Sequence, residues 1–214
     1  MQSPWSGLTD VLPVLAVREL EVVYQRGGEP AARDVTFTLN PGQGLLLTGD
    51  HGSGKTSVLR AILGLAVATG EVAVFGAAPG MREVMARVGY GPQGKTFIER
   101  HTGREIVNLV ATLRTGRRAD ELADDALDRA GIPSGQRDAR ALDVEEVRRV
   151  ALACAIVADL ELIVLDDPWE FPETIAEIER ARARGAAVLV ATDEPGGFAA
   201  LLGRTITLVD GVPT

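Results

Sequence analysis

The run GDHGSGKTS at Gly49–Ser57 decides how the rest of the chain is read. Gly49, Gly54, Lys55 and Thr56 fit the spacing G-x-x-x-x-G-K-[ST], which marks a loop that wraps a polyphosphate. Each residue type has a chemical reason. Gly52 and Gly54 let the backbone come close and turn its N–H groups toward phosphate oxygens. Lys55 brings one ammonium to the β- and γ-phosphates, and Thr56 offers a hydroxyl to Mg²⁺. The apolar run Leu45, Leu46, Leu47 leads in as a strand. Val58, Leu59, Ile62 and Leu63 lead out at helical spacing, so a helix N-terminus faces the anion. Gly49, Asp50, His51, Gly52, Ser53, Gly54, Lys55, Thr56 and Ser57 together form the expected nucleotide-binding segment. A plain glycine turn ahead of a helix is the alternative, and the strand–loop–helix context argues against it.

The chain has 214 residues, enough for one sizeable domain with a buried core and a small lobe. Its 46% hydrophobic and 24% charged residues are ordinary for a globular protein. The net charge of −8 argues against a general nucleic-acid or anionic-membrane surface. Lys55 and Lys95 are the only lysines, so arginine carries the remaining positive charge. Cys154 is the single cysteine, so no intrachain disulfide forms, and its setting ALACAIVA reads as a buried packing thiol. The start of the chain lacks a basic region followed by an apolar core, and no apolar run reaches the length of a membrane span. The expectation is a cytoplasmic protein, held at the inner face of a membrane only through a partner.

Along the chain, residues 1–13 read as a loose leader. Val14–Tyr24 and Arg33–Leu39 alternate around the turn-forming GGEP and read as antiparallel strands. Glu71–Phe75 reads as another strand, and Glu83–Tyr90 carries apolar residues at alternate positions before GPQ. The stretch from about Gln93 to Ala155 is mostly helical in pattern. Ile106, Val107, Leu109, Val110 and Leu113 form one apolar stripe, and Leu122, Ala126, Leu127 and Ala130 another. Leu160–Leu165 and Ala186–Ala191 are short apolar runs of the kind buried in a parallel sheet, and Ile206–Val209 closes the chain as a strand. The run Leu162–Leu165 leads into Asp166-Asp167-Pro168, and an acidic residue at the end of such a strand is where a phosphate-loop protein holds Mg²⁺.

On these residues the chain resembles the ATP-binding subunit of an ABC transporter, and the resemblance covers nearly all of it. It implies an α/β fold: a P-loop NTPase core with a small antiparallel β subdomain and an inserted helical subdomain at about 93–155, within a domain spanning 14–214. It implies ATP and Mg²⁺ as cofactors. Tyr24 matches an aromatic that stacks on adenine, and Asp166 matches the Mg²⁺-side aspartate. Gln93, in YGPQ, matches a glutamine that approaches Mg²⁺ and the attacking water, in a loop that links to the membrane subunit. The metal set is thus Thr56, Gln93 and Asp166. The implied partners are a second nucleotide-binding subunit and a transmembrane permease, with no nucleic acid.

The departures from that family cluster in the hydrolytic and dimer-facing parts. Where the family has LSGGQ, this chain has Leu142-Asp143-Val144-Glu145-Glu146, followed by the familiar RRVALA at Arg148–Ala153. The glutamate that orients the water is here Asp167, one methylene shorter, and the switch histidine is Asp193 in VLVATDEP. Trp169–Glu173 replaces a small, glycine-bearing loop, and the next helix is several residues shorter. Catalytic roles therefore fall to Asp167, Gln93 and Asp193, in a subunit expected to bind Mg-ATP and drive closure with weak or absent hydrolysis. The acidic signature is expected to face the partner's nucleotide. The rivals are an ordinary slow ATPase homodimer, a non-transport member of the family, and a small-molecule P-loop kinase with Arg114–Arg118 as a lid. YGPQ and RRVALA have no role in the kinase reading, the acidic surface suits a non-transport member acting on DNA or ribosomes poorly, and RTGRR reads as a solvated loop in preference to a nucleic-acid site.

Overall fold

The computed structural model describes residues 12–25, 28–94, 101–132 and 138–214. The leader up to residue 11, Lys95 and Phe97 lie outside the described residues. The chain opens with strands β1 (Leu15–Val22), β2 (Ala32–Leu39) and β3 (Gly44–Thr48), then helix α1 (Lys55–Ile62) and strand β4 (Ala68–Val74). Helix α2 (Arg82–Met85) and strand β5 (Val88–Gly91) follow. A helical layer comes next: α3 (Gly103–Thr115), α4 (Asp120–Arg129), a 3₁₀ turn (Ala139–Ala141) and α5 (Val144–Ile156). The chain then returns through β6 (Leu162–Asp166), α6 (Pro172–Ala183), β7 (Ala187–Thr192), α7 (Phe198–Leu202), β8 (Thr205–Val209) and β9 (Val212–Pro213).

These strands build two sheets. The antiparallel one has the order β2-β1-β4, and the larger one β5-β6-β7-β3-β8-β9. In the larger sheet the first five strands are parallel, and β9 pairs antiparallel with β8. The centre of this sheet is covered on both faces, which is why its strands are apolar throughout instead of alternating. Successive side chains still point to opposite faces. Leu46, Ile163, Leu165, Val188 and Val190 pack with Val107, Leu127 and Val150 of the helical layer. Leu45, Leu47, Leu162, Val164 and Leu189 pack with Leu15, Phe37 and Leu59 under the antiparallel sheet. At Gly89 a Cβ would lie 1.9 Å from the Ala155 carbonyl oxygen, so glycine is required where β5 lies against α5.

Three sequence readings change. Glu83–Tyr90 is not one alternating segment but the short α2 followed by β5. Val84 and Val88 are both buried and four residues apart, a spacing that satisfies a helical period as well as an alternating one. On α3 the buried face holds Ile106, Val107 and Ala111, with Val110 at its edge, whereas Leu109 and Leu113 are 40% and 71% exposed on its flank. Leu122, on α4, is likewise exposed.

The third change concerns Arg114. RTGRR is not a solvated loop throughout, and Arg114 is not a lid. Its Nη1 donates to the Cys154 and Val157 carbonyls at 2.7 and 3.0 Å, and Nη2 reaches the Val88 carbonyl at 3.3 Å. Those first two oxygens lie at the C-terminus of α5, where helix carbonyls lack internal partners and the dipole favours a cation. Burial holds the guanidinium down at about 10, still charged at neutral pH. The neighbouring Cys154 is buried and its thiol is pushed up to about 12. Arg114→Met should therefore leave three carbonyls unpaired and cost about 2 kcal/mol. A thermal melt checks this: Tm should fall by roughly 4–8 °C, while Arg117→Met, at an exposed position, should leave it nearly unchanged.

Candidate nucleotide-binding site

The loop between β3 and α1 is held open by its own backbone. Gly54 caps α1 with φ +94°, and a Cβ there would lie 2.0 Å from the Ala31 carbonyl oxygen. No side chain caps this helix, so its first N–H groups remain available for an anion. Lys55 Nζ donates to the carbonyls of Gly49 and Asp50 at 2.7 and 2.9 Å and to Ser53 Oγ at 3.4 Å. The ammonium is thereby fixed inside the loop it is meant to serve. Ser53 is buried, and His51 and Gly52 are exposed at the rim. Tyr24 is 55% exposed and donates its hydroxyl to Ser57 Oγ at 3.3 Å, which tethers one free aromatic face beside the loop.

Across the cleft stand the carboxyl ends of three other strands. Thr56 Oγ1 donates to Asp166 Oδ1 at 3.0 Å, and Tyr90 OH donates to Asp166 Oδ2 at 3.4 Å. Asp166 is only 4% exposed, and burial raises its pKa despite those two hydrogen bonds. A buried carboxylate with a hydroxyl beside it is a hard oxygen pair that suits Mg²⁺. Among the described residues no group of three or more His, Cys, Asp or Glu gathers as a metal cage. Mg²⁺ typically takes one or two carboxylates, with water and substrate phosphates completing its shell. Asp166 and Thr56 fit that role.

Asp167 follows with φ +53°, and its amide donates to the Ala191 carbonyl at 2.6 Å. Its Oδ2 accepts from Gln93 Nε2 at 3.1 Å and from Arg148 Nη2 at 2.5 Å, and its Oδ1 accepts from Thr192 Oγ1 at 3.3 Å. A cleft of about 270 Å³ brings together Ala31, Lys55, Thr56, Gln93, Asp166, Asp167 and Asp193. Of the sequence-predicted residues, the loop from His51 to Ser57, the metal set Thr56, Gln93 and Asp166, and the three positions given catalytic roles, Asp167, Gln93 and Asp193, line this one cleft, with Gln93 bonded to Asp167. Sequence reasoning missed Tyr90, Thr192 and Arg148. Tyr90 lay in the quoted YGPQ and Arg148 in RRVALA, but nothing in either motif says which carboxylate each would reach.

The acidic signature forms the start of α5. Asp143 caps α5: its carboxylate accepts from the Glu146 amide at 2.8 Å, and Glu146 Oε2 accepts from the Asp143 amide at 3.0 Å. Glu145 pairs with Arg149 at 3.1 Å. The carboxylates expected to confront an anion are thus engaged in this chain's own hydrogen bonds, because Asp-x-x-Glu at a helix start closes on itself as a capping box.

Fold and cleft together define an α/β P-loop NTPase. Comparison with known proteins narrows this further. The ABC transporter family model matches residues 32–170, and the chain belongs to that family. It is 33% identical over 193 residues to the zinc import ATP-binding protein ZnuC of Paracoccus denitrificans, a match covering 85% of this chain and 70% of that one. It is also 33% identical over 162 residues to rat ATP-binding cassette sub-family A member 7, covering 72% of this chain but 7% of that much longer protein. Among solved structures, a dimeric ATP-binding cassette bound to ADP and phosphate in a post-hydrolysis state has the same fold. Its TM-score is 0.82 at 21% identity, with 93% of this chain and 96% of that chain covered.

The site leads to a direct binding test. Lys55→Ala removes the one ammonium in the loop and should weaken Mg-ATP binding at least tenfold, the effect of a lost charge-assisted hydrogen bond of roughly 1.5–3 kcal/mol. Tyr24→Ala should cost about 1–3 kcal/mol if the free ring face stacks on the base. Titration calorimetry on the purified chain reads both, and equal affinity in wild type and Lys55→Ala would remove the nucleotide assignment.

Proposed function

We propose that this chain is an ATP-binding subunit of an ABC transport complex that binds Mg-ATP, closes on a second nucleotide-binding subunit and hydrolyses ATP weakly or not at all. Closure would bias a transmembrane permease, and the chain would work at the cytoplasmic face of the membrane through that partner. Among the described residues no helix is long and apolar enough to cross a membrane. The observation that carries the reading is a contrast. The phosphate loop and the Thr56–Asp166 pair are ready for Mg-ATP, whereas the N-terminus of α5 is closed by its own Asp143–Glu146 capping box.

The chemistry of hydrolysis is weakened at two further points. Asp167 is a methylene shorter than the glutamate expected there, and Asp193 lines the cleft as a carboxylate. An ionised carboxylate accepts hydrogen bonds and donates none, so Asp193 cannot donate to a γ-phosphate. In a nucleotide sandwich this chain supplies a complete phosphate loop to one site and a self-capped helix to the other. A hydrolytically competent partner subunit fits that asymmetry.

Turnover of the purified chain with Mg-ATP should fall far below the typical enzyme median of about 10 s⁻¹. A steady-state phosphate-release assay measures this, and turnover near that median would favour the ordinary ATPase homodimer.

The self-capped helix makes a separate prediction. Replacing Asp143 by Ser, Val144 by Gly and Glu145 by Gly keeps a capping residue but removes two carboxylates. One carboxylate about 4 Å from a phosphate charge costs roughly 4 kcal/mol at an effective dielectric of 20. The triple variant should therefore gain ATP-dependent association with the partner subunit, read by light scattering with and without Mg-ATP. An unchanged association would mean that the start of α5 does not meet the partner's nucleotide.

A further inference from the structure

Asp167 belongs to two spaces at once. It lines the nucleotide cleft, and it also lines an adjoining recess with Trp169, Glu170, Thr192 and Phe198. Arg148 lines the recess but not the nucleotide cleft. It projects from the second turn of α5, and its Nη2 closes on Asp167 Oδ2 at 2.5 Å. Its side chain is 14% exposed and that of Asp167 20%, so the pair is largely shielded from water. The guanidinium lies 5.5 Å from the centre of the Trp169 ring, a cation–π contact.

The lone pairs of Asp167 can be counted. An ionised carboxylate offers about four acceptor positions. Arg148, Gln93 and Thr192 occupy three of them, the strongest being the charge-assisted bond from Arg148. ATP hydrolysis requires that a water oxygen bond to the γ-phosphorus, that the bridging P–O bond to ADP break, and that a water proton leave to an acceptor. Asp167 lines the cleft as a candidate acceptor, yet its charge is already neutralised by an arginine. The pair is also single-pronged. Among the described residues Arg148 Nη1 is buried with no hydrogen-bond partner, so the guanidinium does not form the two-pronged grip that makes arginine–carboxylate pairs rigid. A buried unpaired donor carries a desolvation cost, which lowers the barrier to releasing the pair.

We propose that Arg148 is a restraining residue: its ion pair with Asp167 ties α5 to the loop after β6 and withholds the hydrolytic carboxylate from water. This rests on the Mg-ATP-binding reading above and adds a removable cause for slow hydrolysis. The restraint bridges the helical layer and the sheet, so a shift of α5 relative to β6 opens it.

The test uses the full chain and four proteins: wild type, Arg148→Gln, Asp167→Asn and the double variant. Single-turnover hydrolysis of Mg-ATP, with protein in excess, should rise roughly tenfold or more in Arg148→Gln, a part of the roughly 10²–10⁴-fold that a positioned general base supplies. The gain should vanish in the double variant, and Mg-ATP affinity by calorimetry should stay within about twofold of wild type. A second readout needs no nucleotide. The Tm losses of the two single variants should be less than additive in the double variant, as for directly coupled side chains. If Arg148→Gln does not fold, Arg148→Met, which keeps an unbranched stem under Trp169, takes its place in the same comparison. Wild-type affinity with an unchanged or slower rate in the arginine variant, a gain that survives Asp167→Asn, or additive Tm losses would each overturn the restraint while leaving the binding reading intact. Failure of the wild type to bind Mg-ATP would overturn both.

Discussion

Everything at the site depends on a parallel sheet whose central strands end level with one another. Thr48 pairs with Thr192 across β3 and β7, and Asp166 pairs with Ala191 across β6 and β7. Gly91 pairs with Leu165 across β5 and β6. The next residues along each strand therefore emerge on one edge at one height. That edge carries the phosphate loop after β3, Gln93 after β5, Asp167 after β6 and Asp193 after β7. A slip of one residue in any pair would send these polar groups to different heights and turn apolar side chains toward the wrong layer. Each strand presents alternate side chains to two different packed layers, and a one-residue slip would exchange the two sets.

The same burial shapes the electrostatics. Asp166 sits at the end of a strand buried on both sides, and its charged form is disfavoured there until a cation arrives. Thr56 and Tyr90 offset part of that cost by hydrogen bonding, and a bound Mg²⁺ would offset more. Asp167, one residue on, takes a left-handed backbone conformation that an aspartate tolerates better than most residues. This turn carries its side chain away from the sheet and toward α5, where Arg148 meets it.

Arginine is the residue that fastens the helical layer to the sheet layer. Arg114 ties the end of α5 to β5 through carbonyls. Arg129 on α4 pairs with Glu177 of α6, which is 3% exposed, and that hydrogen-bonded contact raises the guanidinium's pKa further. Arg149 on α5 reaches Glu173 on α6 at 3.2 Å and lies 4.2 Å over the Phe171 ring. A planar fork with several donors can hold a carboxylate, a carbonyl and an aromatic face at once, which a lysine ammonium cannot. A chain with two lysines in total makes its interlayer contacts accordingly.

The phosphate loop, the apolar strands and the acidic residues after Leu165 were legible in the sequence, because each rests on local chemistry. Glycine spacing sets backbone approach, apolar runs set burial, and a strand end sets where an aspartate emerges. The family resemblance was legible for the same reason. Tertiary structure decided which partner each charged side chain meets. Asp143 and Glu146 looked like charges awaiting an anion, but at the helix start that they form each carboxylate accepts from the other residue's backbone amide. Arg114 looked solvated, but α3 delivers it to the end of a helix 40 residues further on. Arg148 and Asp167 are 19 residues apart with a helix and a strand between them, and no local pattern announces their pairing. Local chemistry is written in neighbouring residues, whereas the partner of a long charged side chain is fixed only when separate elements pack.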